Sequence, residues 1–154
     1  MAKFNAELPN ELIKELQNLE QDTEKMMAEM TVAGAKAVSE LMKKKAPKKE
    51  IADNIKLTKT YKTPTDNGIN TKVYISGYIP FSDPKRKYFA RRGGNGKMYY
   101  SDKGVPLDFL SKLYEYGRKD GVNFPKQPFV RTSFNKSAIS SAMLQVQEKY
   151  IPKG

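Results

Sequence analysis

The sequence predicts an α+β domain, in which a long N-terminal helix packs on a small antiparallel β-sheet and is followed by a short middle helix and a C-terminal helix. Three observations predict this class. Apolar residues recur at helical spacing over residues 10–45, alternate around an Asn-Gly turn over residues 54–80, and return to helical spacing after residue 106. At 154 residues the chain fits one domain that buries a core without disulfides.

The first helix is predicted over residues 10–45, with Pro9 in its first turn and Pro47 ending it. A helix of 36 residues reaches roughly 54 Å, which is longer than so small a domain is wide. We therefore expect part of its apolar face to contact another surface, such as a second subunit. Gly34 in the middle indicates either a bend or a close approach to another element, and the alternative for the whole segment is an ordinary core helix broken into two pieces. The predicted face consists of Leu12, Leu16, Leu19, Thr23, Met26, Met30, Ala33 and Ala37.

A β-hairpin is predicted over residues 54–80, because apolar and polar residues alternate on both sides of Asn67-Gly68. This pair of residues is a strong hairpin-turn signal. The predicted inner face of the hairpin carries Ile55, Leu57, Tyr61, Ile69, Thr71, Val73, Ile75 and Ile79.

Residues 81–106 are predicted to form a basic flexible loop. Tyr88 and Phe89 lie among its cations and a run of glycines follows, so the segment could track a phosphate backbone and stack on bases. A mobile surface loop without a dedicated ligand is the favoured interpretation, with a short strand over residues 97–101. The candidate DNA-facing residues are Lys85, Arg86, Lys87, Arg91, Arg92 and Lys97.

Two further helices are predicted in the last third of the chain. The first spans residues 107–117 and ends at Gly117, a capping residue type. A loop rich in Gly, Asn and Pro then leads to the apolar run Gln127 to Val130. The final helix is predicted over residues 133–150, with Ser133 as its N-cap.

The composition excludes several kinds of chemistry. The chain has no Cys and no His, which removes thiolate chemistry, the commonest general base and the commonest transition-metal ligand. Asp83, Asp102 and Asp108 are scattered in the sequence, so a metal-dependent nuclease receives little support. We expect no catalytic residue, no metal and no cofactor. No apolar run approaches the length of a membrane span, so we expect no membrane contact.

The net charge of +11 is unevenly distributed. Residues 1–42 contain four Lys and eight acids, a net charge of −4, and residues 43–154 contain 24 Lys and Arg and nine acids, a net charge of +15. An acidic arm and a basic body indicate contact with a polyanion or pairing between the arm and a neighbouring body. A solubilising surface explains the same charges without a partner.

Three short motifs occur in a characteristic order: APKKEIADNIKL at 46–57, YEYG at 114–117 and QPFVRTSF at 127–134. In this order and spacing, the chain resembles the head–tail joining (neck or tail-completion) family of long-tailed bacteriophages, typified by the gene-ten product of a lambdoid phage. The likeness extends over roughly the whole chain.

The resemblance implies a structural virion protein without enzymatic activity. Its subunits would form a homo-oligomeric ring at the head–tail junction, assembled in the bacterial host cytoplasm, with genomic DNA passing through. The implied partners are the phage head-closure or connector proteins and the tail terminator or tail tube proteins. The candidate subunit interface comprises Tyr114, Glu115, Tyr116, Gly117 and Phe129.

Two of these residues also have explanations that need no second subunit. Glu115 would be a surface acid at a helix end, and Phe129 would pack in the core. An alternative for the whole chain is a stand-alone basic nucleic-acid-binding protein that uses the 81–106 segment. That class would bind free DNA tightly and with strong salt dependence, and it would form no ring.

Overall fold

The computed structural model describes residues 10–118 and 120–151 and confirms the α+β class. Pro9, the predicted first-turn proline, lies outside the described residues. The helices are α1 (Asn10–Lys45), α2 (Lys49–Asp53), α3 (Leu107–Tyr116) and α4 (Lys136–Tyr150), with a 3-10 turn at Arg131–Ser133. The strands are β1 (Ile55–Leu57), β2 (Tyr61–Lys62), β3 (Ile69–Asn70), β4 (Val73–Ile75), β5 (Tyr78–Ile79), β6 (Phe89–Arg92), β7 (Met98–Ser101) and β8 (Val105–Pro106).

Helix α1 is continuous, but its two halves have different surroundings. Every residue from 10 to 25 is exposed, whereas the C-terminal half packs against α4 and the strands. Gly34 brings α1 close to α4, because a Cβ added there would lie 3.3 Å from Ile139 Cγ2. Of the two roles predicted for Gly34, the structure shows the close approach between helices.

The buried face of α1 differs from the predicted one. It is rotated toward Val38 and Met42, while the predicted Ala33 and Ala37 are only half-buried and Leu16 is exposed. The apolar pattern of the N-terminal half therefore belongs to a different face of the helix from the one that enters the core. The buried residues of α1 are Gly34, Ala35, Val38, Ser39 and Met42.

The predicted hairpin of residues 54–80 forms as two antiparallel pairings in succession. Strand β1 pairs with β4, and β2 pairs with β3 around Asn67, which adopts a positive φ of 52°. Residues 78–79 leave this hairpin, because Gly77 turns the chain with φ 103° and β5 then pairs with β8. Tyr61, predicted on the inner face, is exposed at the outer end of the hairpin.

The segment 81–106, predicted as a loop with a short strand over residues 97–101, contains a second β-hairpin, in which the predicted strand forms as β7 and its partner β6 was not predicted. Strands β6 and β7 pair antiparallel from Phe89 opposite Ser101 to Arg92 opposite Met98. Phe89 and Arg91 turn toward the body and Ala90 and Arg92 turn outward, so the strand alternates although its charges obscure the pattern.

Helix boundaries follow local hydrogen bonding. Gly117 caps α3 as predicted, with φ 76° and its N–H donating to the Leu113 carbonyl. Helix α4 begins three residues later than predicted, at Lys136. Asn135 and not the predicted Ser133 is its N-cap, because the Asn135 side chain accepts the Ala138 N–H, while the Ser133 hydroxyl donates to the Phe129 carbonyl. The short helix α2, where Ile51 is fully buried, was not predicted.

The core lies where α1, α2, β1 and α3 meet. It consists of Val38, Met42, Ile51, Ile55, Leu107 and Phe129. Phe129 reaches this core from the loop that follows α3, so the loop is part of the packed structure. None of the helices within residues 10–118 and 120–151 is both long and apolar enough to cross a membrane.

The buried Gly104 tests the pairing of β5 with β8. Its φ is 128°, and a Cβ at this position would lie 2.0 Å from the Ile79 carbonyl oxygen. We expect Gly104→Ala to lower the free energy of unfolding by at least about 2 kcal/mol, as measured by urea denaturation.

The matched control is Gly94→Ala, since Gly94 has open space around it. We expect this control to change the free energy by no more than about 0.5 kcal/mol. Equal effects of the two substitutions would show that the β5–β8 contact is not tight.

Candidate functional site: a buried carboxylate clamp and an exposed basic hairpin

The Glu115 carboxylate occupies the centre of the predicted interface stretch. It is 4% exposed and accepts hydrogen bonds from the backbone N–H groups of Phe129 and Val130, both at 2.9 Å, and of Arg131 at 3.2 Å. The Arg131 side chain lies 3.4 Å away and covers the site from the solvent side. We call this arrangement of Glu115 and residues 129–131 the carboxylate clamp.

The clamp decides between the alternatives for two residues. Glu115 is buried and is not a surface acid, because its oxygens bind backbone groups of the same chain. Phe129 is fully buried, as the core-packing alternative expects. A role of either residue in a subunit contact stays a prediction. One sequence signal could have indicated that Glu115 binds backbone donors. An acid in the last turn of a helix is unfavourable beside the helix dipole unless other donors bind it.

The loop between α3 and the clamp is held at several further points. The N–H of Gln127 donates to the Tyr114 carbonyl at 2.8 Å, and the Tyr114 ring packs on Phe124 at a centroid distance of 5.0 Å. Near its start, Arg118 forms an ion pair with Asp120, which lowers the pKa of that exposed carboxyl. The contacts of Phe124 and Gln127 hold residues 124–130 against α3, and we call this segment the fixed loop.

The five predicted interface residues therefore divide into three groups by exposure. Glu115 and Phe129 are buried, and Tyr114 and Gly117 are half-buried. Tyr116 has 66% of its surface exposed and stands beside the fixed loop. Only Tyr116 presents a large free side chain.

A groove lies between β4 and α3, next to Tyr116. Its volume is about 260 Å³, and Met42 and Val130 contribute to its apolar lining. Tyr74 and Tyr116 both line it and are both exposed. We call it the β4–α3 groove.

The predicted DNA-facing cations lie on or beside the β6–β7 hairpin. Lys85, Lys87 and Lys97 are exposed, and Arg86 lies over the Phe81 ring at 5.3 Å. Arg92 is also exposed. The hairpin thus presents five of the six cations at the surface.

Arg91 is the exception among these cations. It forms a 2.7 Å ion pair with Asp108 at the start of α3, and next to it the Phe89 ring packs edge-on against Phe109 at 4.9 Å. Together the two contacts anchor the hairpin to α3. Because its charge is compensated by Asp108, Arg91 is less suited to binding phosphate than its neighbours.

The acids considered for a nuclease are otherwise engaged or isolated. Asp108 pairs with Arg91, and Asp83 accepts the backbone N–H of Lys85. In the part of the chain that the structure describes, no group of three or more acidic side chains could hold a metal ion.

The clamp predicts a large effect of a nearly isosteric change. Glu115→Gln leaves one side-chain oxygen for three N–H donors and places an NH₂ group among them. We expect a loss of about 3 kcal/mol in the free energy of unfolding, measured by urea denaturation. Glu148→Gln on α4 is the control: it removes the same charge from an exposed side chain and should cost less than about 0.5 kcal/mol. Similar losses in both variants would contradict the clamp.

The anchoring of the basic hairpin predicts a pattern of trypsin cleavage. Mass spectrometry of a limited digest should show early cuts after Lys85, Arg86, Lys87 and Lys97, outside the paired strands. Cuts after Arg91 should come later, because the strand and its ion pair must open first. Early cleavage after Arg91 would show that the hairpin is not held against α3.

Comparison with known proteins finds a family match for the N-terminal half of the chain. Residues 10–77, which contain α1, α2 and strands β1 to β4, match the family model described as "Bacteriophage HK97-gp10, putative tail-component". Among curated proteins and solved structures, none matches the chain. Over residues 10–77, the chain is therefore similar to a phage tail-component family, which is consistent with the predicted resemblance to the head–tail joining family.

Proposed function

We propose that this chain is a structural virion protein of a tailed phage, which forms a ring at the head–tail connector during neck or tail completion. The observation that carries the proposal is the match of residues 10–77 to a phage tail-component family. That match includes all of α1 and the first hairpin. The role is mechanical joining and involves no catalytic step.

The exposed surfaces support a heterologous contact, in which two different patches of neighbouring subunits meet. Tyr116 is a large amphipathic side chain on a rigid support, which is typical of an interface anchor. The carboxylate clamp contributes indirectly, because it fixes the loop beside Tyr116. Contacts between unlike patches generate a closed ring when the rotation from one subunit to the next divides a full turn evenly.

Charge supports the same arrangement. The first 42 residues carry a net charge of −4 and the remainder carries +15, so the acidic N-terminal part of one subunit attracts the basic body of the next. This attraction steers association and weakens with salt.

The proposed partners are those of a neck ring. Besides copies of itself, the chain would contact the head-closure or connector protein on one side and the tail terminator or tail tube protein on the other. Its place would be the head–tail junction of the virion, after assembly in the bacterial cytoplasm.

Genomic DNA would pass through the ring, near the exposed cations of the β6–β7 hairpin. A lumen that gripped DNA strongly would impede its exit, and the pairing of Arg91 with Asp108 reduces the available charge. The same exposed cations favour the second candidate function, a stand-alone nucleic-acid-binding protein. Tight, salt-sensitive DNA binding by a chain that never assembles would identify that class.

The test of the ring proposal is Tyr116→Ala, introduced into the phage that encodes the chain. We expect the purified variant to keep its melting temperature, because Tyr116 is mostly exposed. Electron microscopy of infected-cell lysates should show filled heads and separate tails in place of joined particles.

Phe129→Ala serves as the core control and should lower the free energy of unfolding by about 3–5 kcal/mol. Normal joined particles with Tyr116→Ala would remove Tyr116 from the interface. Normal joined particles after deletion of the whole gene would overturn the proposed function.

A further inference from the structure

We propose that the first three turns of α1 in one copy dock into the β4–α3 groove of a second copy. We call residues 10–20 the α1 arm. The inference rests on the proposed function in one respect: it specifies the contact between ring subunits.

The α1 arm carries an apolar stripe that its own molecule leaves exposed. Leu12, Leu16 and Leu19 follow one another at steps of four and three, which places them on one side of the helix. Leu16 is 52% exposed and Leu19 is 67% exposed. A three-turn helix with such a stripe has the form of a ligand for an apolar groove.

The β4–α3 groove has the matching shape and chemistry. Met42 and Val130 line it, and the exposed rings of Tyr74 and Tyr116 stand beside them. Its volume of about 260 Å³ is below the roughly 300–1,000 Å³ of small-molecule pockets. A few aliphatic side chains are a better fit to this space than a cofactor-sized ligand.

The charges of the two surfaces are complementary. Glu11 and Glu15 lie on one flank of the stripe and Glu20 on the other, against a single lysine in the arm, Lys14. Exposed Lys112 lines the groove. On β1, exposed Lys56 stands directly opposite Tyr74.

The acids of the groove do not oppose the arm. Asp108 is paired with Arg91, and the Glu115 carboxylate is buried against three backbone N–H groups. The charges that remain free at the rim of the groove are therefore the lysines.

The occupant must come from another molecule, because α1 itself keeps the two surfaces apart. Met42 lines the groove and lies 26 residues after Leu16 on the same continuous helix. At about 1.5 Å per residue, this separation is roughly 39 Å along the helix axis. The arm cannot fold back onto its own groove while α1 is intact, but it can reach the groove of a neighbour.

The experiment uses two variants of the full chain, one in each surface. Leu16→Asp disables the arm, and Tyr116→Glu places a negative charge at the groove. Both side chains are largely exposed, so both variants should keep the wild-type melting temperature. For each variant alone, the dissociation constant of self-association should be at least about tenfold higher than for the wild type, measured by sedimentation velocity over a concentration series.

An equimolar mixture of the two variants is the decisive sample. It contains one intact arm and one intact groove per pair, so we expect dimers with nearly wild-type affinity and no larger species. Asn18→Asp is the matched control, because it adds the same charge to an exposed position away from the stripe. It should associate as the wild type does.

Three results would overturn the inference: a wild type that stays monomeric throughout the series, normal association of Leu16→Asp, or a mixture that stays monomeric. In each case particle joining by the phage still decides the proposed function separately. If the groove instead accepts a different virion protein, Tyr116→Glu would block joining while wild-type chains remain monomers.

Discussion

The structure depends on one buried carboxylate. Glu115 lies at the end of α3, and its two oxygens fix the backbone of residues 129–131, which are separated from it by a loop of more than ten residues. This places the Phe129 ring in the core, and the Phe129 carbonyl then accepts the Ser133 hydroxyl just before α4 begins. A buried charge is tolerated only when hydrogen bonds compensate its lost hydration, and here three N–H donors do so. This site therefore links the end of α3, the loop and the start of α4.

Fixing the loop also determines what the surface presents. Because the backbone on both sides of Tyr116 is held, binding through its ring would require little further ordering of the backbone. The β6–β7 hairpin is a second example. Two inward side chains, Phe89 and Arg91, secure it to α3, while the other cations of the segment face solvent. In both places, internal contacts position an exposed group that has no role in the core of the chain itself.

Local signals were sufficient for much of the fold. Pro47 ends α1, Asn67-Gly68 forms the hairpin turn, and Gly117 caps α3, because each residue type has a backbone preference that acts over a few neighbours. The failures involve contacts between distant parts of the chain. Strand β6 was missed, although β7 was predicted, because inward-facing Arg91 looks like a surface charge until Asp108 is beside it. Glu115 was missed as a clamp for the same reason, since its three donors lie 14 to 16 residues away.

If the proposed ring forms, the exposed half of α1 has to be compatible with both the separate chain and the assembly. A stripe of three leucines on an exposed helix would be an aggregation risk if it bound the apolar grooves of unrelated proteins. The flanking glutamates restrict the choice, because acidic surfaces repel them and a basic rim attracts them. The chain supplies such a rim on its own body, but α1 keeps it out of reach of its own arm. A rigid helix that separates two complementary patches turns a self-attraction into an attraction between neighbours, and repetition of that contact favours a ring.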